Sequence, residues 1–429
     1  MYDISGPRVT DFSNRASAPG ADSYPFLSRI RMERLGTLRR NKMRIAGAVV
    51  VSATLALSAV ACGGDDDKGG SGGGDEVTIG FMGDLTGENS GLVIPPKQGA
   101  QLAIDQYNAT NPKVKIKLKT YDSQGKAEQA TTQAQGAVKE DKIVGLIGPA
   151  FSGESESVDP ILEEAKIPSV SPSATSIELA EKGRKFWHRV VADDAVQSAG
   201  AANFLVNSGA KKLYLVSDNQ AYGKGLTDAI AKAAGAKSVE TKSDAVDDKA
   251  TDYSSTVNKI NQYKPDAVYF GGYYAVAGRL FKQLREGGYK GKMMSGDGSV
   301  AAGLIEGAGE ANAKGALLSC GCLIDASGKT NAKAKKFADD YKAKYNSEVA
   351  IYSTEGFDAA TAFIEAIKAG KTKPEEINEF LKTEDFQGVG KQIKFDAKGE
   401  LAAQDIFIYE VQGNKIVLLG NSGEAKATS

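Results

Sequence analysis

Short apolar runs alternate with helical patterns over most of the chain. Continuous apolar runs predict buried strands at Val77–Met82, Val114–Tyr121, Ile143–Ile147, Lys212–Ser217, Asp266–Phe270 and Gly315–Ser319. Apolar residues spaced three and four apart predict helices between them, at Ala100–Tyr107, Ala127–Val138, Ala201–Val206 and Val276–Leu284. Repeated alternation of strand and helix is typical of parallel sheets that are covered on both faces.

The pattern changes after Cys322. Three helical stretches follow with little strand between them, at Ala332–Tyr345, Thr354–Lys368 and Pro374–Leu381. The chain then alternates polar and apolar residues over Lys391–Asp396 and Asp405–Leu418, with turn sequences at 397–399 and 412–414. This tail predicts antiparallel strands.

We therefore expect an α/β fold of two lobes, each a mostly parallel sheet flanked by helices. A chain of 429 residues suits two domains better than one. The predicted lobes are 77–194 with 323–388, and 195–322 with 389–425. Three crossings would join them, and a cleft between them is the natural ligand site, because ligands of open α/β sheets lie beyond the carboxyl ends of the strands.

The N-terminal region has the order of an export signal. Basic residues from Arg39 to Arg44 precede an apolar run, Ile45–Leu57, and small residues then lead to Cys62. The run is shorter than the roughly 20 residues of a membrane-spanning helix. Cys62 after small residues resembles the lipobox of bacterial lipoproteins, which implies a diacylglycerol on the thiol. The alternative is a plain secretory signal with an incidental cysteine.

These observations divide the N-terminal region into three parts. Residues 32–61 are predicted to be the lipoprotein signal peptide, and 62–76 the lipidated cysteine with a flexible tether rich in Gly, Ser and acidic residues. Polar, patternless sequence fills 1–31, and Met32 or Met43 would be a more natural start. We expect 1–31 to be a non-native upstream extension without function.

Composition excludes several classes of function. The 53 Lys and Arg residues balance 54 Asp and Glu residues, so no charge excess favours nucleic acid. Cys320, Cys322 and the single histidine, His188, do not make a metal site. For the two cysteines we expect either small semi-buried thiols or a local disulfide. Nucleotide-binding glycine motifs are missing from the expected places, so no cofactor is predicted.

The sequence also lacks a recognisable set of catalytic residues. The Gly-x-Ser-x-Gly match at 69–73 falls in the tether, where no strand-to-helix elbow can form. Ser152 lies in a strand-to-helix turn, but a serine nucleophile needs a base, and a lone His188 on a strand is more often structural. We expect a protein that is not an enzyme; an exported hydrolase using Ser152 is the alternative.

Two loops of the first half could bind an anion. Ser152 follows the strand Ile143–Ile147 where a helix begins, and a helix N-terminus favours a carboxylate. Ser152 could instead only cap that helix, and Pro160 allows the helix to begin at Asp159. In the next loop, Thr175 could contact a zwitterion or could form a capping box with Glu178.

Three loops of the second half have the same placement after predicted strands. They are Asp218–Gly225, Gly271–Tyr274 and Gly296–Gly298, and each combines glycines with a Tyr or an Asp. Glycines permit close approach of the backbone to a ligand. A tyrosine alone is usually packing, but three loops with one placement favour a binding site.

In this order, the loops resemble the branched-chain amino-acid-binding family, the leucine/isoleucine/valine-binding proteins of ABC importers, which have the type I periplasmic binding fold. The resemblance extends from about Val77 to about Leu419 and includes Asp84–Gly87, Pro172–Thr175 and Phe395–Gly399. The implied ligand-binding residues are Ser152 for the carboxylate, Ser173, Ala174 and Thr175 for both charged ends, Tyr222 and Tyr273 for closing the cleft, and Asp297 for the ammonium. Leu92 falls at the position of a family aromatic residue, and Leu92 and Phe151 would suit an aliphatic or aromatic side chain of the ligand.

The resemblance also implies a function and partners. The protein would capture a small, amino-acid-like ligand, branched-chain or related, and deliver it to the permease subunits of an ABC importer. It would be a monomer held by its lipid anchor on the extracytoplasmic face of the cell membrane. The alternative is a sensor domain that binds another small solute, such as an amide or an aromatic acid.

Overall fold

The computed structural model describes residues 75–325 and 331–426. The upstream extension, the signal peptide, Cys62 and the tether as far as residue 74 lie outside this range. No helix in the described ranges combines the length and the apolar character that crossing a membrane requires.

The first sheet is parallel throughout. Its strands are β1 (Asp75–Gly83), β2 (Val114–Asp122), β3 (Gly145–Ile147), β4 (Ser169–Ser171) and β5 (Trp187–Arg189), in the order β2-β1-β3-β4-β5. The helices of this part of the chain are α1 (Ile94–Ala109), α2 (Ala127–Lys139), α3 (Ser152–Ala165) and α4 (Ile177–Glu181). Ile79 and Phe81 of β1 are fully buried, as expected for a central strand covered by helices on both faces.

The second sheet combines parallel and antiparallel strands. The strands are β6 (Lys212–Ser217), β7 (Glu240–Ala245), β8 (Ala267–Gly271), β9 (Lys292–Ser295), β10 (Leu317–Cys320), β13 (Phe407–Gln412) and β14 (Lys415–Asn421). They lie in the order β14-β13-β10-β9-β8-β6-β7, and β13 pairs antiparallel with both β10 and β14. The accompanying helices are α5 (Asp194–Asn207), α6 (Ala221–Gly235), α7 (Ser254–Tyr263), α8 (Tyr274–Glu286), α9 (Ala302–Ala308) and α10 (Glu310–Ala313).

Three helices return from the second sheet to the first lobe: α11 (Ala332–Tyr345), α12 (Ser353–Lys368) and α13 (Pro374–Thr383). Helix α12 packs directly on α1. The two helices approach closely because Gly99 of α1 faces the Ser353 carbonyl and Gly356 of α12 faces the Pro96 backbone, where a Cβ atom at either glycine would overlap.

The chain crosses between the sheets three times: after β5, after β10 and before β13. Before the last crossing, β11 (Phe386–Gln387) and β12 (Gln392–Ile393) form a small antiparallel pair. The following turn lies against β5, where the Arg189 amide donates to the Gly399 carbonyl at 3.0 Å. These contacts bring residues near 399 to the first lobe, and the predicted lobe boundary at 389 stays a prediction.

The predicted fold class is confirmed. All six predicted strands match observed ones, and the two predicted antiparallel segments of the tail match β12 and the β13–β14 hairpin, within a few residues at their ends. The structure also contains β7, which the apolar pattern does not predict. Its sequence, ETKSDA, is polar and largely exposed, so it contains no apolar run. Cys320 and Cys322 form a disulfide, which is the second of the two expected alternatives, and both residues are fully buried.

Candidate ligand-binding cleft

Loops at the carboxyl ends of strands from both sheets line one cavity. The lining residues are Leu92, Ala150, Phe151, Ser152, Ser173, Tyr222, Tyr273, Asp297, Gly298 and Tyr352. The space between these residues, counted with the part that is open to solvent, is about 230 Å³. Seven of the nine residues predicted to bind a ligand lie in this lining; Ala174 and Thr175 are buried beside it.

Ser152 is the first residue of α3, and Pro160 is accommodated inside the helix. The suggested helix start at Asp159 is therefore wrong, as is a capping role for Ser152, because Phe151 is the N-cap residue. The Ser152 hydroxyl instead accepts a hydrogen bond from the Ser176 amide at 3.2 Å, which ties the two predicted anion-binding loops together. The start of a 14-residue helix thus faces the cleft with a serine at its first position.

Glu154 holds the loop that precedes α3. Its carboxylate accepts from the Phe151 amide at 3.2 Å and from the Ser123 hydroxyl. Burial raises the pKa of Glu154 to about 7, and these hydrogen bonds oppose the rise. Glu154 therefore positions Phe151 and Ser152 without being a lining residue itself.

The loop after β4 contains the buried hydroxyl of Thr175. The predicted capping box is wrong, because Ser176 is the N-cap residue of α4 and no side chain caps that helix. Thr175 is 2% exposed, and apart from its contact with Asp194 its Oγ1 has no hydrogen-bond partner within the described residues. A buried hydroxyl without a partner is costly unless a ligand or another group uses it. The Ser173 hydroxyl, by contrast, donates to the Ala150 carbonyl at 2.8 Å.

Arg189 of β5 fixes the same loop from behind. Its guanidinium donates to the carbonyls of Ala174 at 3.0 Å and Ser176 at 2.9 Å. It also forms a two-point ion pair with Glu400, in which Nε lies 2.7 Å from Oε2. Arg189 is fully buried, so we assign it a positioning role that sequence reasoning missed.

Aromatic rings from both lobes form one wall of the cavity. The ring centroids of Phe151, from the first lobe, and Tyr273, from the second, are 4.5 Å apart. Tyr273 in turn lies 5.2 Å from Tyr222. Asp218 shapes this wall, because it accepts from the Tyr273 amide at 3.3 Å and from the Gln220 amide at 3.0 Å. Together with Leu92, the rings give the cavity an apolar side.

Asp297 lies opposite the hydroxyl loops and is 2% exposed. Its Oδ1 accepts from Gln197 Nε2 at 2.5 Å and from the Tyr222 hydroxyl at 2.7 Å. Its Oδ2 accepts from the hydroxyl of Tyr352, a residue that precedes α12 and has a left-handed backbone conformation with φ 57°. Such a conformation costs a tyrosine on the order of 1–2 kcal/mol and often marks a functional position.

A second carboxylate, Asp194, lies close to Asp297 at the first turn of α5. Gln197 Nε2 lies 3.4 Å from Asp194 Oδ1, so this amide contacts both carboxylates. Burial and the nearby charge of Asp297 raise the pKa of Asp194 well above its usual value, while Thr175 and Arg189 oppose the rise. Burial also raises the pKa of Asp297, against hydrogen bonds from three side chains and one backbone amide that lower it. Neither carboxylate is exposed to solvent by more than 2%.

The single histidine does not serve this cavity. His188 Nδ1 contacts the Ser169 carbonyl at 3.3 Å, and the ring packs 5.0 Å from Phe395. Burial lowers the pKa of His188 to about 4. Its imidazole is therefore committed to the first sheet, which gives no support to the alternative of Ser152 as an activated nucleophile.

The chain forms two α/β lobes with a buried cavity between them. Hydroxyls and a helix start lie on one side of the cavity, and a carboxylate lies on the other. This arrangement defines a two-lobed solute-binding protein. A family model described as periplasmic binding protein matches residues 76–415. The chain belongs to this family, which is a family of solute-binding proteins, and the predicted resemblance is confirmed.

Curated relatives and solved structures support the same family assignment. An amino acid binding protein of Pseudomonas aeruginosa is 29% identical, and the match covers 78% of this chain and 90% of that protein. A leucine-, isoleucine-, valine-, threonine-, and alanine-binding protein of the same species is 26% identical, with 87% and 96% covered. Among crystal structures, the leucine binding protein LivK of Thermotoga maritima is 29% identical with a TM-score of 0.75, covering 80% of this chain and 98% of LivK. LivJ of Streptococcus pneumoniae, in complex with isoleucine, is 26% identical with a TM-score of 0.73, and 81% and 100% are covered.

Proposed function

We propose that this protein is the extracytoplasmic solute-binding component of an ABC importer and that it binds a branched-chain or related amino acid between its lobes. One arrangement carries the proposal: Ser152, Ser173 and Thr175 lie on the first lobe beside the start of α3, and Asp297 lies on the second. A zwitterion needs an anion site beside a cation site, both shielded from water. The names of its relatives support the same class of ligand.

In this mechanism, the carboxylate of the ligand accepts hydrogen bonds from Ser152, Thr175 and the backbone amides near the start of α3. The ammonium group donates to Asp297 of the second lobe. Charge-assisted hydrogen bonds in a closed cleft each contribute about 1.5–3 kcal/mol. Leu92, Phe151 and Tyr273 contact the side chain of the ligand, and hinge motion at the three crossings closes the lobes over it.

Delivery to the permease and the lipid anchor are further parts of the proposal. A diacylglycerol on Cys62 would hold the domain at the membrane surface, within reach of the transporter. Mass spectrometry of the protein from cell membranes tests this: a mature chain that begins at a lipidated Cys62 supports the anchor, and a soluble, unmodified chain contradicts it.

Isothermal titration calorimetry with leucine, isoleucine, valine, an amide and an aromatic acid tests the ligand class. We expect binding to at least one aliphatic amino acid and weaker or no binding to the aromatic acid. Binding only to the amide or the aromatic acid would contradict the amino-acid assignment and favour the alternative solute.

A further inference from the structure

A second buried carboxylate, Asp194, lies beside the cavity next to the lining residue Asp297. Asp194 is fully buried, Asp297 is 2% exposed, and the Gln197 side chain contacts both. The Thr175 hydroxyl lies beside Asp194 and lowers its pKa, and apart from this contact Asp194 Oδ2 has no hydrogen-bond partner within the described residues. A carboxylate oxygen accepts more than one hydrogen bond, so Asp194 Oδ2 is an available acceptor beside the cation side of the cleft.

The surroundings of the pair offer little positive charge. Arg189 is the cation whose charge reaches Asp194, but its guanidinium is already paired with Glu400. Other ionisable groups around the pair are Asp193, Glu355, which is itself in an ion pair with Lys391 at 3.7 Å, and the tyrosines Tyr222, Tyr269, Tyr273 and Tyr352. Hydroxyls can stabilise a carboxylate, but they do not neutralise the second charge.

Two carboxylates held together away from water do not both stay ionised, because desolvation and mutual repulsion favour protonation of one of them. The pair then carries one proton and one negative charge, and it titrates as a unit. A bound ammonium group changes this balance, because its positive charge stabilises the fully ionised pair.

We propose that Asp194 and Asp297 share one proton in the unliganded protein and that the ammonium group of the ligand displaces it, so that capture releases a proton. This inference rests on the proposed function. The O–H bond of the carboxylic acid breaks and its proton goes to solvent. Two N–H groups of the ammonium then donate to the pair, with Asp194 Oδ2 as the new acceptor. Asp194 is thus a specificity-determining residue for ligands with a cationic head.

The arrangement discriminates between ligand classes. An amide or an uncharged amine cannot displace the proton by charge, and an aromatic acid offers no cation to the pair. A cationic head satisfies both carboxylates at once. Affinity for an amino acid should therefore rise with pH while the pair loses its proton, and affinity for a neutral amide should not.

A ligand-independent experiment tests the proton. Carboxyl-13C aspartate NMR of the full domain, with Asp194→Asn and Asp297→Asn for assignment, follows the pair from pH 3 to pH 9. We expect two linked steps, with the upper one well above the ordinary range of an aspartate, and a single lower step for Asp297 in Asp194→Asn. Independent titration of both residues at ordinary values would overturn the inference.

Calorimetry of L-leucine, L-isoleucine and L-valine in phosphate and Tris buffers then counts the protons exchanged. We expect release of up to one proton per ligand below the upper step, none above it, and none in Asp194→Asn. The exposed Asp339→Asn is the control and should behave as wild type. Binding without proton exchange at any pH would overturn the inference alone. Absence of binding to all three amino acids would overturn the proposed function, and the NMR titration would still decide whether the pair shares a proton.

Discussion

Arg189 Nε donates to Glu400 Oε2 at 2.7 Å, joining two residues that are 211 positions apart in the chain. Both residues are buried, and the same guanidinium holds the Ala174 and Ser176 carbonyls of the ligand loop. The pair therefore connects the last crossing between the lobes to the wall of the cleft. A movement of this crossing would therefore shift the loop that contains Thr175.

We expect Glu400→Ala to lower the free energy of unfolding by about 3–5 kcal/mol, because it leaves the buried guanidinium without its counter-charge. Urea denaturation followed by circular dichroism measures this. The exposed Asp339→Ala, which removes a surface ion pair with Lys335, is the matched control and should change stability by about 0.5 kcal/mol or less. Equal effects of the two substitutions would show that the buried ion pair contributes no more to the free energy of unfolding than the surface pair does.

Thr175→Ala and Asp297→Ala are each expected to weaken ligand binding at least tenfold, which is about 1.4 kcal/mol. Thr175 acts on the ligand through a buried hydroxyl and Asp297 through a carboxylate. Calorimetry with the amino acid that binds best measures the loss. Thr132→Ala, on the exposed face of α2, should bind as wild type. If both cleft variants bind like the parent, the assignment of these residues is wrong.

Tyr352→Phe should weaken binding about fivefold, or about 1 kcal/mol, because it removes a hydrogen bond that joins the two lobes beside the cavity. The ring remains and continues to line the cavity. Titration calorimetry gives the affinity, and Tyr263→Phe, which loses only an exposed bond to Glu240, is the control. Tighter binding by Tyr352→Phe would instead mean that the hydroxyl competes with the ligand for Asp297.

The contact between α1 and α12 gives a prediction about packing. Gly99→Ala should destabilise the protein by at least about 2 kcal/mol, because the new methyl group overlaps the Ser353 carbonyl. Gly136→Ala in α2 meets no atom within 4 Å and should stabilise the protein by about 0.5–1 kcal/mol. Thermal unfolding of the two variants should therefore shift in opposite directions. A similar shift for both would show that α1 moves away at little cost.

Much of the cleft could be predicted from the sequence, because its loops follow strands that are recognisable as continuous apolar runs. Ser152, Tyr222 and Tyr273 all lie directly after such strands, and the carboxyl ends of parallel strands share one edge of a sheet. The same rule places Asp297 after β9, beside two buried methionines. Local pattern and topology suffice for these residues.

Other residues of the site depend on tertiary structure. Tyr352 reaches the cavity from a helix start that is remote in sequence, in a backbone conformation that no pattern indicates. Asp194 looks like an ordinary acidic residue in a first helical turn, and Gln197 like a polar position one turn later. Their burial beside Asp297 follows from the packing of the two lobes. Single-sequence patterns do not carry that information.

The pH dependence of stability provides the last prediction. Burial raises the pKa of Glu154 from its ordinary value of 4.5 to about 7, so the folded protein binds a proton there that the unfolded chain has lost. The resulting stabilisation is complete below pH 4.5 and is lost as the pH rises through about 7.

Glu154→Gln imitates the protonated form, so it should remove this part of the pH dependence, on the order of 3 kcal/mol between pH 4 and pH 8. Urea unfolding across that range measures it. Glu128→Gln, at an exposed position in the first turn of α2, should keep the wild-type slope. Asp159, Asp218 and Asp358, whose pKa values burial also raises to about 7, should leave a residual decline in Glu154→Gln. An unchanged slope in Glu154→Gln would mean that Glu154 is ionised in the folded protein at neutral pH, and that its bonds to Phe151 and Ser123 outweigh the cost of its burial.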